Sequence, residues 1–145
     1  MSWMGLKELS GLEIEFAKLC IQLYGMPVER FSGEGSRWFG LVRDGKICAV
    51  VWIHKPHIFR PLFMRFSIDT SNSYIVRRVA TCCPGDYAVE LLQLLADRLR
   101  EEGKEYLVAL GLPDHSNALY KLAGFEELGR TPRTGHPVFV KVLRG

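Results

Sequence analysis

Apolar and polar positions change their period several times along the 145-residue chain, and each change marks an element. Ser10 followed by Glu13 has capping-box spacing, and Leu12, Phe16, Leu19, Cys20 and Leu23 then recur at three- and four-residue intervals up to Gly25. That pattern predicts an amphipathic helix with those residues on its buried face. Ahead of it, residues 3–9 suit a brief strand or a frayed end, and residues 26–36, broken by Pro27 and glycines, predict a loop with at most one helical turn. Residues 37–43 and 46–54 are rich in Val, Ile, Trp and Phe and flank Asp44-Gly45, the dipeptide that supplies the positive φ angles of a two-residue turn. An antiparallel hairpin is expected there.

Pro56 and Pro61 interrupt the next stretch, after which residues 62–68 are expected as a further strand, turned by Asp69-Thr-Ser-Asn-Ser73 into a strand over 74–82. A long helix follows. Ala88, Leu91, Leu92, Leu95 and Leu99 share one of its faces, Glu90, Asp97, Arg98 and Glu101 the other, and Gly103 ends it. The apolar run 106–110 suits a buried strand, placed parallel to 74–82 by a crossover of this length. Asp114 or Ser116 can cap a short helix holding Ala118, Leu119 and Leu122, closed by Gly124. Residues 125–129 and 137–143 predict a last strand pair joined by the polar turn Thr131 to His136, and an exposed strand edge after Thr134 would let a second copy pair as a homodimer.

Composition narrows the class. One domain over 1–145 is expected from the length, with ordinary globular apolar and charged content. The net charge of +3 is too small to argue for nucleic acid, although the pairs Arg77-Arg78 and Arg130 with Arg133 would be its only footholds. No apolar run reaches the ~20 residues of a membrane span, so a soluble cytoplasmic protein without a membrane partner is expected. Cys20, Cys48, Cys82 and Cys83 lack C-x-x-C or histidine spacing, which argues against a metal site and for reduced thiols, with a redox role for the adjacent pair as the minor alternative.

Candidate chemistry gathers where the 74–82 strand gives way to the long helix. Unpaired first-turn N–H groups and the positive end of a helix dipole make residues 83–88 an anion-binding turn. Tyr120-Lys-Leu-Ala-Gly124-Phe125, preceded by the strand Tyr-Leu-Val-Ala-Leu, then carries the most specific signal in the chain. This Y-x-x-x-G-F ending and the order of elements resemble the GNAT superfamily of acyl-CoA-dependent N-acyltransferases over nearly the whole length. The resemblance implies an α+β fold with a central, mostly antiparallel mixed sheet, a splayed parallel strand pair and flanking helices.

It also implies a function: transfer of an acetyl group from acetyl-CoA to a primary amine of a small molecule or a protein. Tyr120 would return a proton to the departing thiolate, Val79, Ala80 and Thr81 would hold the pantetheine arm through their backbone, and Asn117, Asp114 or Ser116 would line the thiol end. The family's Q/R-x-x-G-x-G/A turn falls on Cys83, Pro84, Gly85, Asp86, Tyr87 and Ala88, of which only Ala88 fits. Asp86 sets a carboxylate where phosphate belongs, although it is also a good N-cap residue, and Gly85 is displaced by one position. Tyr120 could equally pack with its hydroxyl at the surface. His54, His57, Asp69 and Glu34 are the titratable candidates for a general base, and one of Arg77 and Arg78 is expected on the open side of the sheet, facing an acidic group. The alternatives to the enzyme are a GNAT-shaped binding or regulatory module that has lost catalysis and, more remotely, an interaction domain using the Arg pairs.

Overall fold

The computed structural model describes residues 4–23, 35–56, 59–113 and 117–144. Their elements are β1 (Met4–Glu8), α1 (Leu12–Leu23), β2 (Arg37–Arg43), β3 (Lys46–His54), α2 (Arg60–Arg65), β4 (Ser73–Thr81), α3 (Tyr87–Glu101), β5 (Tyr106–Leu110), α4 (Ala118–Leu122), β6 (Glu126–Arg130) and β7 (Pro137–Val142). The seven strands form one sheet in the order β1-β2-β3-β4-β5-β7-β6. Every neighbouring pair is antiparallel except β4 with β5. This is the α+β architecture, with a mixed sheet and flanking helices, that the family resemblance implied.

The local reasons are those the residues supply. Asp44 and Gly45 take φ of 50° and 80°, the left-handed pair that lets β2 and β3 twist together without splaying. On α3, Leu91, Leu92, Leu95, Ala96 and Leu99 are buried and pack on the sheet face formed by Phe39, Leu41, Val51, Ile53, Val76 and Phe139. Gly103, at φ 84°, turns the chain out of that helix. The opposite face is covered in two patches: α1 lies over Trp38, Val50 and Trp52, and the α2 segment with Phe63 and Ile68 lies over Ile75, Val108, Val138 and Val140.

Three expectations are corrected. Residues 60–65 are helical where 62–68 was expected as a strand; Pro61 sits in the first turn of the helix, where its missing N–H costs no intrahelical hydrogen bond. The helix at residues 12–23 forms, and Glu13 accepts from the Ser10 N–H at 3.3 Å as the capping-box spacing required. Its buried residues, however, are Ala17, Cys20 and Ile21, while Leu12, Phe16, Leu19 and Leu23 are 87, 42, 59 and 84% exposed. Ala17, Cys20 and Ile21 pack in the cluster that holds the stacked Trp38 and Trp52 rings, 5.5 Å apart, and the stripe of Leu12, Phe16, Leu19 and Leu23 turns outward. Finally, β7 is paired on both sides, with β5 and with β6, so the chain after Thr134 is no free edge for a second copy; the outer strands are β1 and β6. The expected capping residues Asp114 and Ser116, and most of the expected 26–36 loop, lie outside the described residues.

Arg37 ties the N-terminal strands to α3. Its guanidinium donates to both carboxylate oxygens of Glu8 and of Glu102, at 2.7 to 3.0 Å, and lies 5.0 Å over the Phe39 ring. Those hydrogen bonds hold the Glu8 and Glu102 carboxyls below the ordinary range of 4.5. A group whose folded pKa is depressed stabilises the fold above its unfolded pKa and ceases to as pH falls through the folded value. Acid titration followed by circular dichroism should therefore show stability falling below about pH 4.5, and Arg37→Met should flatten that part of the curve while lowering the plateau at neutral pH.

Candidate functional site

β4 and β5 pair only from Ser73 to Val76, opposite Tyr106 to Ala109. Beyond that, β4 keeps β3 as its partner as far as Thr81, while β5 runs beside β7 up to Leu110. The two parallel strands part. A cavity of about 990 Å³ occupies the gap, walled on the α2 side by Phe59, Leu62 and Arg65 and on the α3 and α4 side by Val79, Leu119 and Tyr120. It therefore passes through the sheet from one face to the other. The register of β4 against β3 slips at Trp52/Ile53, which face Arg78 and Val76, so Arg77 is the extra residue of a bulge. That bulge breaks the alternation expected of Arg77 and Arg78, and both side chains line the cavity.

Tyr120 reaches this wall from α4. Its ring stacks on Phe139 at 5.3 Å and meets Phe125 edge-on at 5.6 Å, because the turn at Gly124, φ 91°, folds Phe125 back beneath the helix. Burial pushes the Tyr120 phenol up to about 12, with Arg78 pulling the other way. The hydroxyl thus holds its proton at any ordinary pH.

The remaining expected residues divide. Val79 and Ala80 are buried, on opposite sheet faces, and of the three residues Val79, Ala80 and Thr81 only Val79 lines the cavity. Asn117 lines it too, with φ 55° and its side-chain amide closing a turn onto Leu112: Oδ1 accepts from the Leu112 N–H and Nδ2 donates to its carbonyl, both at 2.9 Å. Cys83 lies outside the cavity wall and directs its thiol at the Ile47 carbonyl, 3.8 Å away. The Cys82 thiol is pushed well up by burial and by the neighbouring Cys20. Of the suggested bases, Asp69 is occupied by the Ser71 amide and hydroxyl at 2.9 and 2.7 Å, and buried His54 contacts the Lys55 carbonyl through Nδ1. His57 and Glu34 lie outside the described residues.

His136 was not singled out by the sequence. It lines the cavity, and its Nδ1 is 2.9 Å from the Gly111 carbonyl. A carbonyl can only accept, so Nδ1 carries the proton and Nε2 keeps a lone pair in the neutral ring. Its position directly before β7 was the available signal, since the turn after β6 had to return to the end of β5.

At the start of α3, Asp86 occupies the N-cap position, yet its exposed side chain makes no capping hydrogen bond. The first-turn amides of the helix are therefore not taken by that carboxylate. Gly85 has φ 133°, and a Cβ there would lie 2.8 Å from the Tyr87 ring. That ring is held in turn by Arg43, whose Nη1 donates to the Tyr87 hydroxyl at 2.7 Å. Ala88 is partly buried against the core on α3. Helix amides that Asp86 leaves uncapped suit a diphosphate, with the Tyr87 ring filling the space beside Gly85 and Asp86 and Glu90 as the opposing charges nearby.

No model of a known protein family matches the chain. Among solved structures, it superposes on ribosomal-protein-S18-alanine N-acetyltransferase from Escherichia coli with a TM-score of 0.69 and 16% identity, covering 99% of this chain and 96% of that one. The aminoglycoside acetyltransferase AAC(6')-Ib in complex with coenzyme A gives a TM-score of 0.72 at 12% identity, with 97% and 95% covered. FeeM, an N-acyl amino acid synthase from uncultured soil microbes, gives 0.66 at 16%, with 97% and 91% covered. Among curated sequences, uncharacterized protein 154 of Sulfolobus islandicus rod-shaped virus 1 is 42% identical over 137 residues, 90% of this chain and 89% of the relative. The chain belongs to the family of that viral protein, and its fold is the one shared by the GNAT acetyltransferases.

Proposed function

We propose that the protein is an N-acetyltransferase that moves an acetyl group from acetyl-CoA to a primary amine of a small molecule or protein, in the cytoplasm. The observation that carries this reading is the parting of β4 and β5 around a through-sheet cavity with the Tyr120 phenol in its wall. Such a gap lets two reactants meet from opposite faces, which is the positioning that a transfer between them needs.

Acetyl-CoA, when bound, supplies an activated acyl carbon and a thiolate leaving group. The first-turn amides of α3 would hold its diphosphate, and the pairing of β4 with β5 ends at Val76, short of the backbone of Val79, Ala80 and Thr81. Tyr120 holds a proton at its hydroxyl for the departing sulfur. His136 Nε2 takes the proton lost by the attacking amine as the C–N bond forms. Cys82 is a poor candidate for an acyl-carrying nucleophile because its thiol is kept protonated by burial, which favours direct transfer.

Calorimetric titration with acetyl-CoA tests the reading: a dissociation constant between about 1 μM and 1 mM is expected, and no heat at several-fold higher concentration would count against it. Asp86 decides the second reading, a binding module that has lost its catalysis. Because this carboxylate is exposed and uncapping, its repulsion is worth about 1 kcal/mol or less. Asp86→Asn should then tighten acetyl-CoA binding by about fivefold or less with no loss of thermal stability. Binding that appears only in the variant would favour the module.

A further inference from the structure

The cavity between β4 and β5 has room and walls that an acetyl group does not use. Its volume of about 990 Å³ stands at the upper end of the ~300–1,000 Å³ range of small-molecule sites, and an acetyl group fills only a small part of that. On the α2 side, away from the helix whose amides would take the diphosphate, Leu62 and Leu110 pack against Phe63, Ile75 and Val138. Both are only partly buried there, and both line the cavity. Leu112, 49% exposed, and the exposed Pro61 belong to the same wall. The cations of that wall are engaged by the protein. Arg65 donates through Nη1 to the Arg130 carbonyl at 3.0 Å and lies 5.3 Å over Phe66. Arg77 lies 5.1 Å over Phe59 and 5.8 Å over Trp52, and Arg78 donates through Nη1 to the Arg77 carbonyl at 2.7 Å. With the guanidiniums so engaged, this side of the cavity offers a ligand mainly hydrocarbon.

A small hydrophilic amine would leave those leucines facing water. An amine with an apolar body would displace that water, and each buried methylene would add to its affinity. The acyl group of the proposed donor is too short to reach across the cavity, so the apolar body belongs to the other reactant. We infer that the acceptor is an amine bearing an apolar chain or ring, seated on Leu62, Leu110 and Leu112 with its nitrogen toward His136 of the same wall. The inference rests on the acetyltransferase reading for the word acceptor, whereas the preference for an apolar body stands on the cavity alone.

Two homologous series separate them. The n-alkanols from propanol to hexanol, titrated by calorimetry without acetyl-CoA, probe the wall with no amine present; n-alkylamines of the same lengths, assayed for acetyl transfer, probe the acceptor. Alkanol affinity should rise about threefold to fourfold per methylene with a negative heat-capacity change, and kcat/KM for the amines should climb in parallel. Leu112→Asn, at a half-exposed position outside helix and strand, should cut the rise from propyl to hexyl by about fivefold. Leu62→Asn should act in the same direction, and if that variant does not fold, Leu112→Asn decides alone. Alkanol binding that is absent or flat with chain length, or a rise that Leu112→Asn leaves untouched, would overturn the inference. A preference for hexanoyl-CoA over acetyl-CoA with a short amine would overturn it too, by placing the chain on the donor. Rising alkanol affinity without acetyl transfer would keep the apolar preference and remove the enzymatic reading; transfer that ignores the length of the amine would do the reverse.

Discussion

Replacing Tyr120 with phenylalanine is expected to lower acetyl-transfer turnover by about 100- to 1,000-fold while leaving acetyl-CoA affinity within about twofold. The phenyl ring keeps its contacts with Phe125 and Phe139, so the change removes one proton and one oxygen and little packing. Steady-state kinetics beside calorimetry checks it, and an unchanged turnover would remove Tyr120 from the mechanism. A second readout is independent of activity. The phenol is raised from 10.0 to about 12, so its protonated form contributes stability below pH 10 that is lost as pH rises toward 12. Alkaline unfolding curves of wild type and Tyr120→Phe should diverge in that window, with the phenylalanine variant less sensitive to pH.

Leu95→Ala should lower the stability of the fold by about 3 kcal/mol, the middle of the range for fully buried leucines. In a chain of this size that moves the melting midpoint down by roughly 10 °C. Leu95 is completely buried in the layer between α3 and the sheet, and the neighbouring helix and strands cannot close over the vacated space without disturbing the strand pairing. Leu122→Ala, on α4 and 68% exposed, is the matched control and should change stability by less than about 0.5 kcal/mol. Equal effects would mean that α3 is not packed as described.

Much of the fold was legible because local chemistry and tertiary packing agree. The Asp44-Gly45 turn set the β2–β3 hairpin, and the leucine period of α3 identified both that helix and its buried face. Where they diverged, the sequence was ambiguous for stated reasons. Helix α1 carries apolar residues on two sides, so periodicity found the helix and chose the wrong face; the side that packs with the stacked tryptophans carries Ala17, Cys20 and Ile21. Helix α2 is six residues long, too short for a helical period to outweigh its strand-like composition. At the site, the Tyr120 motif and the strand end were visible in the residue order. The bulge that turns both Arg77 and Arg78 to the cavity, and the arrival of His136 from a distant turn, depend on register and topology, which single residues do not encode.

The short joint between β4 and β5 also bears on how the molecule is made. Strands β1 to β4 pair with sequence neighbours in order, so this half of the sheet can assemble while the rest of the chain is still being synthesised. The other half is a three-stranded unit that meets it through four residue pairs. Helix α3 emerges between them and packs on the strands of the first half, in the same core cluster that holds Leu107 and Phe139 of the second. A nascent chain halted before residue 106 would expose β4 as a raw edge, and it is there, rather than at the outer strands, that chaperone capture or misassembly during biogenesis would concentrate.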